Sequence, residues 1–203
     1  MKGNNKISPA KQRILENYED QRRQFQAEGY QENREVISVL KANIMALVTA
    51  VPWMALGLAL WSWGGRGPVW PPVREYLLLV LFFFATVFIH ELLHGLGWCL
   101  GVQDGWKSMY IGMMWETLTP YCHCKEPLLP GKYILGSLFP GIVLGGGLYL
   151  AAFASGNNFL LWLSLLNILA AGGDFLIAWH AGKYKEGYVL DHPTECGFVI
   201  FQK

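Results

Sequence analysis

Four stretches of this chain are apolar over lengths that a soluble core rarely demands: Val36 to Trp61, Tyr76 to Leu100, Tyr133 to Phe153 and Phe159 to Trp179. About 20 apolar residues carry a helix across the hydrocarbon of a bilayer, and each block is long enough. Only 15% of the 203 residues are charged, against about 25% in an average soluble domain. The pattern predicts an all-α integral membrane protein with four transmembrane helices, at about 36–61, 76–100, 133–153 and 159–179, and the lipid bilayer as its first partner. Net charge is +1, so nothing points to nucleic acid.

Residues 1–35 read as an amphipathic, polar arm ahead of a membrane-embedded domain at 36–203. This start is too long and too polar for a secretory signal peptide. Ser8-Pro9 reads as a cap and first-turn proline of a helix that stops at Gly29. Ile14, Tyr18 and Phe25 give it a weak apolar stripe, which suits a solvated or membrane-surface helix. Lys41 and Asn43 sit where they can snorkel, and Pro52 can kink the first span. Trp61, Trp63 and Trp70, among glycines and Pro68, mark an interfacial loop. Gly101 to Gly131 lacks helical periodicity. Trp106–Trp115 and Thr117–His123 suggest a small β-hairpin between helices 2 and 3. Five glycines in the third span (136, 141, 145, 146 and 147) suit the central packing helix. Gly187–Leu190 and Phe198–Phe201 read as short strands of the tail.

Inside the second apolar block stands His90-Glu91-Leu92-Leu93-His94. Residues four apart share a helix face, so both imidazoles can reach one metal ion. Glu91 between them can act as general base to a water on that metal. An ionisable side chain within a membrane span costs on the order of 3 kcal/mol. Three within five residues call for a compensating partner, and a metal is one. A catalytic zinc usually takes three protein ligands and a water.

Depth singles out a third ligand. With four spans the termini share one side of the membrane. All of the 16 Lys and Arg except Arg66 and Arg74 then fall on that side, which the positive-inside rule makes cytoplasmic. His90 lies about 21 Å along the second span from its outer end, and Asp174 about 22 Å along the fourth. Glu91 and Asp174 are also the only acidic residues deep in any span. Asp174 is therefore the preferred third ligand. Asn167, seven residues earlier and nearly on its face, can hydrogen-bond the site or a substrate backbone, or simply join helices.

Competing ligands are weaker on spacing. The metzincin pattern needs a His where Leu100 stands. Glu116, 22 residues past His94, could serve as the glutamate of other zincins, but it lies in a strand or loop of unfixed depth. Cys122-His123-Cys124 is not a standard zinc spacing, and no second pair follows closely. His123 and Glu116 remain candidates for substrate contact or for supporting the ligands. His180 falls on another face near the interface, and His192 belongs to a turn before Pro193. The four cysteines map to the cytoplasmic side, where free thiols are expected.

The motif with Gly95, then Thr119-Pro120-Tyr121-Cys122-His123-Cys124-Lys125-Glu126-Pro127, Pro140-Gly141, Gly172-Gly173-Asp174 and Asp191-His192-Pro193, resembles a bacterial family of multi-pass membrane proteins described as putative zincin peptidases. The likeness covers about Val36 to Phe201. More distantly the arrangement resembles site-2 proteases, in which a later membrane helix supplies an aspartate. That likeness implies zinc on His90, His94 and Asp174, with Glu91 as base. Here Asp174 follows two glycines and precedes Phe175, a departure from the aspartate-glycine order of that group. The reading is a zinc-dependent membrane metallopeptidase acting on a membrane or membrane-proximal protein or peptide, with the 101–131 segment presenting an extended substrate. Two other readings are a non-catalytic membrane adaptor that keeps the fold and a metal-handling membrane protein.

Overall fold

The apolar blocks do form helices, and what bounds them is local chemistry. The computed structural model describes residues 9–114 and 119–203. Helix α1 is Pro9–Ala27, followed by strand β1, Gln31–Ile37, and helix α2, Val39–Trp63. Gly29, at φ +83°, turns the chain between α1 and β1, a left-handed conformation that glycine adopts without strain. Ser38 caps α2, its hydroxyl accepting from Lys41 N–H, so the first apolar block begins as strand and turns helical only at Val39. Helix α3 is Val73–Cys99. Strands β2 (Met109–Met114) and β3 (Thr119–Cys124) pair antiparallel, preceded by a 3₁₀ turn at Gly105–Ser108.

The third block is continuous but not uniform. Helix α4, Pro130–Pro140, runs into a π-helical stretch, Gly141–Gly147, and on into α5, Leu148–Ser155. The fourth is broken: α6, Asn158–Ala170, and α7, Gly172–Ala181, meet at 44°. Among the described residues, three helical paths are thus long and apolar enough to cross a membrane, with a fourth if the bent pair is one span. The stretch expected as the fourth span, 159–179, is that bent pair. A Cβ on Gly172 would stand 2.1 Å from the Ala46 carbonyl oxygen, so α7 passes α2 at backbone distance. Thr49 Oγ1 donates to the Gly172 carbonyl at 2.5 Å, a hydrogen bond from α2 to the first turn of α7. Leu77, Leu81, Phe84 and Phe88 of α3 stay exposed, as a lipid-facing row would.

Strands β4 (Tyr188–Asp191) and β5 (Cys196–Gln202) join β1 in a three-stranded antiparallel sheet, order β1-β5-β4. The sequence reading placed residues 31–37 partly in the arm and partly in a span. Their pairing with β5, Gln31↔Gln202 to Ile37↔Cys196, is non-local and hidden under the charges of Glu32, Arg34 and Glu35. Nor does the stripe of α1 face solvent: Ile14 and Tyr18 are buried. Tyr18 and Phe25 pack on Leu190, Val199 and Phe201. Asn17 Nδ2 and Gln21 Nε2 both donate to the Lys125 carbonyl, at 2.8 and 2.7 Å. The arm is thereby tied to the end of β3.

Candidate metal centre

The site begins with a glycine contact. A Cβ on Gly97 of α3 would stand 2.6 Å from Gly136 Cα of α4, so the two backbones cross with nothing between them. That approach brings the Gly136 carbonyl within 3.0 Å of His94 Nδ1. A carbonyl only accepts, so Nδ1 carries the proton and a neutral His94 turns the lone pair of Nε2 inward. Behind His94 the Trp98 ring stacks at 5.1 Å and donates from Nε1 to the Tyr133 carbonyl at 3.0 Å. Rotation of the imidazole is blocked from two sides.

Ligand-type atoms of three residues converge here. His94 Nε2 lies 3.1 Å from His90 Nε2. Asp174 Oδ2 is 3.0 Å from His90 Nε2, and Asp174 Oδ1 is 3.3 Å from His94 Nε2. The bend at Ala171 makes this meeting possible, because it sets Asp174 in the first turn of α7, where the helix dipole favours a carboxylate. Both imidazoles are buried.

Glu91 stands beside this trio. Its Oε2 accepts from the Cys122 N–H of β3 at 2.7 Å. One ligand atom each of His90, Glu91 and His94 lie within 4.8 Å of one another, a looser set than the one closed by Asp174. Glu91 is held by a strand amide outside the tighter set.

The donor chemistry fits zinc. A lone pair of His94 faces a carboxylate and a second imidazole at 3.1–3.3 Å, an arrangement that a shared proton or a metal ion among them satisfies. Spokes of 2.0–2.1 Å in a tetrahedron span edges of about 3.3 Å; the two imidazole nitrogens stand 3.1 Å apart, and each lies 3.0 or 3.3 Å from a different oxygen of Asp174. His94 also has the outer hydrogen bond that metal-bound histidines use to fix their tautomer. His90 Nδ1 is buried with no partner.

The other candidates stand elsewhere. His123 Nδ1 meets Asp191 Oδ2 at 2.9 Å. It lies on the opposite face of β3 from Cys122, since strand side chains alternate. Asp191 also accepts from Tyr133 OH at 3.1 Å, and Tyr133 stacks on Trp98. His123 thus belongs to a support running back to His94. Asn167 is buried and donates from Nδ2 to Leu163 O within its own helix, while its Oδ1 has no partner. Glu116 lies outside the described residues. Burial, with Glu91 and Asp191 nearby, pushes the Cys122 thiol well up, and burial pushes Cys124 up to about 12. Neither thiol is poised as a thiolate ligand. His180 pairs with Glu35, and His192 accepts from Glu195 N–H in its turn.

Sequence reading missed the Gly136 carbonyl, the Cys122 amide and the Trp98–Tyr133–Asp191 support. Two of these are backbone groups, which residue identity does not announce. Only the glycine at 136 left a trace.

No curated protein and no solved structure matches the chain. Residues 83–189 match the model of the family described as "Putative zincin peptidase". The match covers just over half of the 203 residues and includes the motif, Cys122, Gly136 and Asp174. The chain belongs to that family.

Proposed function

We propose that the protein is a zinc-dependent membrane metallopeptidase. The observation that carries this is Glu91, fixed at 2.7 Å by the Cys122 amide, next to the converging His90, His94 and Asp174. Those three residues would hold the metal. Bound there, zinc supplies Lewis acidity, acidifying water and polarising a peptide carbonyl.

The chain's own groups do the rest. The Cys122 N–H holds one oxygen of Glu91 and leaves the other to take a proton from the attacking water. Glu91 then hands that proton to the leaving amide nitrogen. Trp98 and the Gly136 carbonyl keep His94 in one tautomer and one rotamer. Asp174 would add the one carboxylate to the two neutral imidazoles that hold the metal. Among the described residues, β2 has one unpaired edge, and its sequence Met109-Tyr110-Ile111-Gly112-Met113-Met114 carries no charge. Edges exposed to water usually carry protecting charges, as β1 does. An uncharged edge supports capture of an extended peptide by strand addition. We place the helices in the cell membrane with both termini cytoplasmic, on the distribution of Lys and Arg.

Metal content tests the reading. Detergent-purified wild type should hold about one zinc per chain, lost in both His94→Ala and Asp174→Ala. Glu91→Gln should keep its zinc and lose cleavage of the peptides that wild type cuts. Zinc kept in Asp174→Ala removes that residue from the ligand set. Unchanged cleavage by Glu91→Gln sinks the mechanism, and a wild type without zinc after reloading sinks the metal centre.

A further inference from the structure

Apolar side chains gather on one side of Glu91. The β2–β3 register sets Ile111 opposite Cys122. The Cys122 N–H goes to Glu91 and not across to β2. This is therefore a non-hydrogen-bonded pair, the kind whose side chains lie closer together. Cys122 Sγ reaches α3, 3.5 Å from where a Cβ on Gly95 would stand. Gly95 follows Glu91 by one helical turn and shares its face.

Trp106 covers the same glycine. Two of its ring carbons lie 2.9 and 3.0 Å from that Cβ position, so only glycine lets the indole lie flat on the helix. Trp106 and Cys122 thus lie over the helix one turn past the base, with Ile111 paired across from Cys122 on the adjoining strand. Cys122 is buried, but Trp106 and Ile111 remain 45% and 43% exposed. Both present open apolar surface beside a carboxylate that the proposed reaction uses.

We propose that Trp106 and Ile111 form an apolar subsite that receives the hydrophobic side chain of the substrate residue next to the scissile bond. This rests on the peptidase reading. The substrate class it implies is a peptide with Leu, Phe or a similar residue at the cut. A chain anchored only by lipid contact at these two positions would show no such preference.

The test uses three small hydroxamates, which chelate zinc and need no turnover: leucine hydroxamate, aspartate hydroxamate and acetohydroxamate. Their affinities are measured calorimetrically on the zinc-loaded full chain in detergent. Wild type should favour leucine hydroxamate over acetohydroxamate by about tenfold or more, the gain from burying one leucine side chain. Trp106→Ala and Ile111→Ala should bring that ratio near unity and leave acetohydroxamate binding and zinc content unchanged. Ile111→Lys, at an exposed position, should turn the preference toward aspartate hydroxamate. Acetohydroxamate binding with an unchanged leucine preference in all three variants overturns the subsite alone. Failure of every hydroxamate to bind the zinc-loaded wild type overturns the subsite and the metal-centre reading together.

Discussion

The two crossings that assemble the site are built in opposite ways. Where α3 meets α4, two glycines bring backbone against backbone, and a stack of His94, Trp98 and Tyr133 fills the space behind. Where α7 meets α2, Gly172 also touches backbone, but the helix is broken there. The recorded hydrogen bond across that crossing is the Thr49 hydroxyl on Gly172 O. The α3–α4 crossing is held by shape and by two hydrogen bonds, His94 on Gly136 O and Trp98 on Tyr133 O, the α7–α2 crossing by shape and the single Thr49 bond. The histidines therefore belong to the stiff half of the site and Asp174 to the adjustable half.

The largest expected effect tests the stiff half. A Cβ on Gly136 would stand 2.0 Å from the Trp98 ring, and that ring is pinned by its stacking and by its bond to the Tyr133 carbonyl. Gly136→Ala should destabilise the protein by about 3 kcal/mol and weaken zinc binding by about 100-fold. Denaturant titration and chelator competition measure the two. A variant that keeps both would show that the crossing is not tight.

Thr49→Val tests the other half. It removes the hydroxyl from Gly172 O with little change of shape. Hydrogen bonds between membrane helices average about 0.6 kcal/mol, so stability should fall by about that much, with zinc affinity down severalfold. If Thr49→Val cost more than Gly136→Ala, the comparison would be reversed. Arg34→Ala, which loses the pair with Glu195 at 2.7 Å, lies in the sheet and in neither crossing. Both side chains are half exposed, so the loss should stay within about 0.5 kcal/mol, with zinc binding untouched. A change in zinc affinity there would mean that the sheet communicates with the site.

These unequal supports also explain what was legible in the sequence. Long apolar blocks announce helices because a bilayer demands length, and the motif announces itself because four residues make one turn. Counting residues from the ends of spans brings Asp174 to the depth of His90, and the two stand 3.0 Å apart; the metal role of Asp174 rests on the proposal. The break before α7 was not legible. Ala170-Ala171-Gly172-Gly173 stays apolar throughout, and the close approach of Gly172 to Ala46 is a contact with another helix. Strand β1 was hidden for a similar reason, since its partner lies at the far end of the fold. The stripe of α1 was visible as a pattern, but its burial depends on β4 and β5. The hold on Glu91 is a main-chain amide, which any non-proline residue at 122 would supply.

The pairing of β1 with β5 has a consequence for biogenesis. Ile37 bonds opposite Cys196 and Gln31 opposite Gln202, and every membrane helix lies between those partners. Ribosomal synthesis delivers residues 31–37 long before residues 196–202, so β1 waits unpaired while the helices insert. The turn that carries Asp191 arrives with the second partner. Tyr133 and His123 gain their common carboxylate only then, and the support behind His94 closes last. A protein made in this order would complete its site at the end of its own translation, after the long apolar helices have found their places.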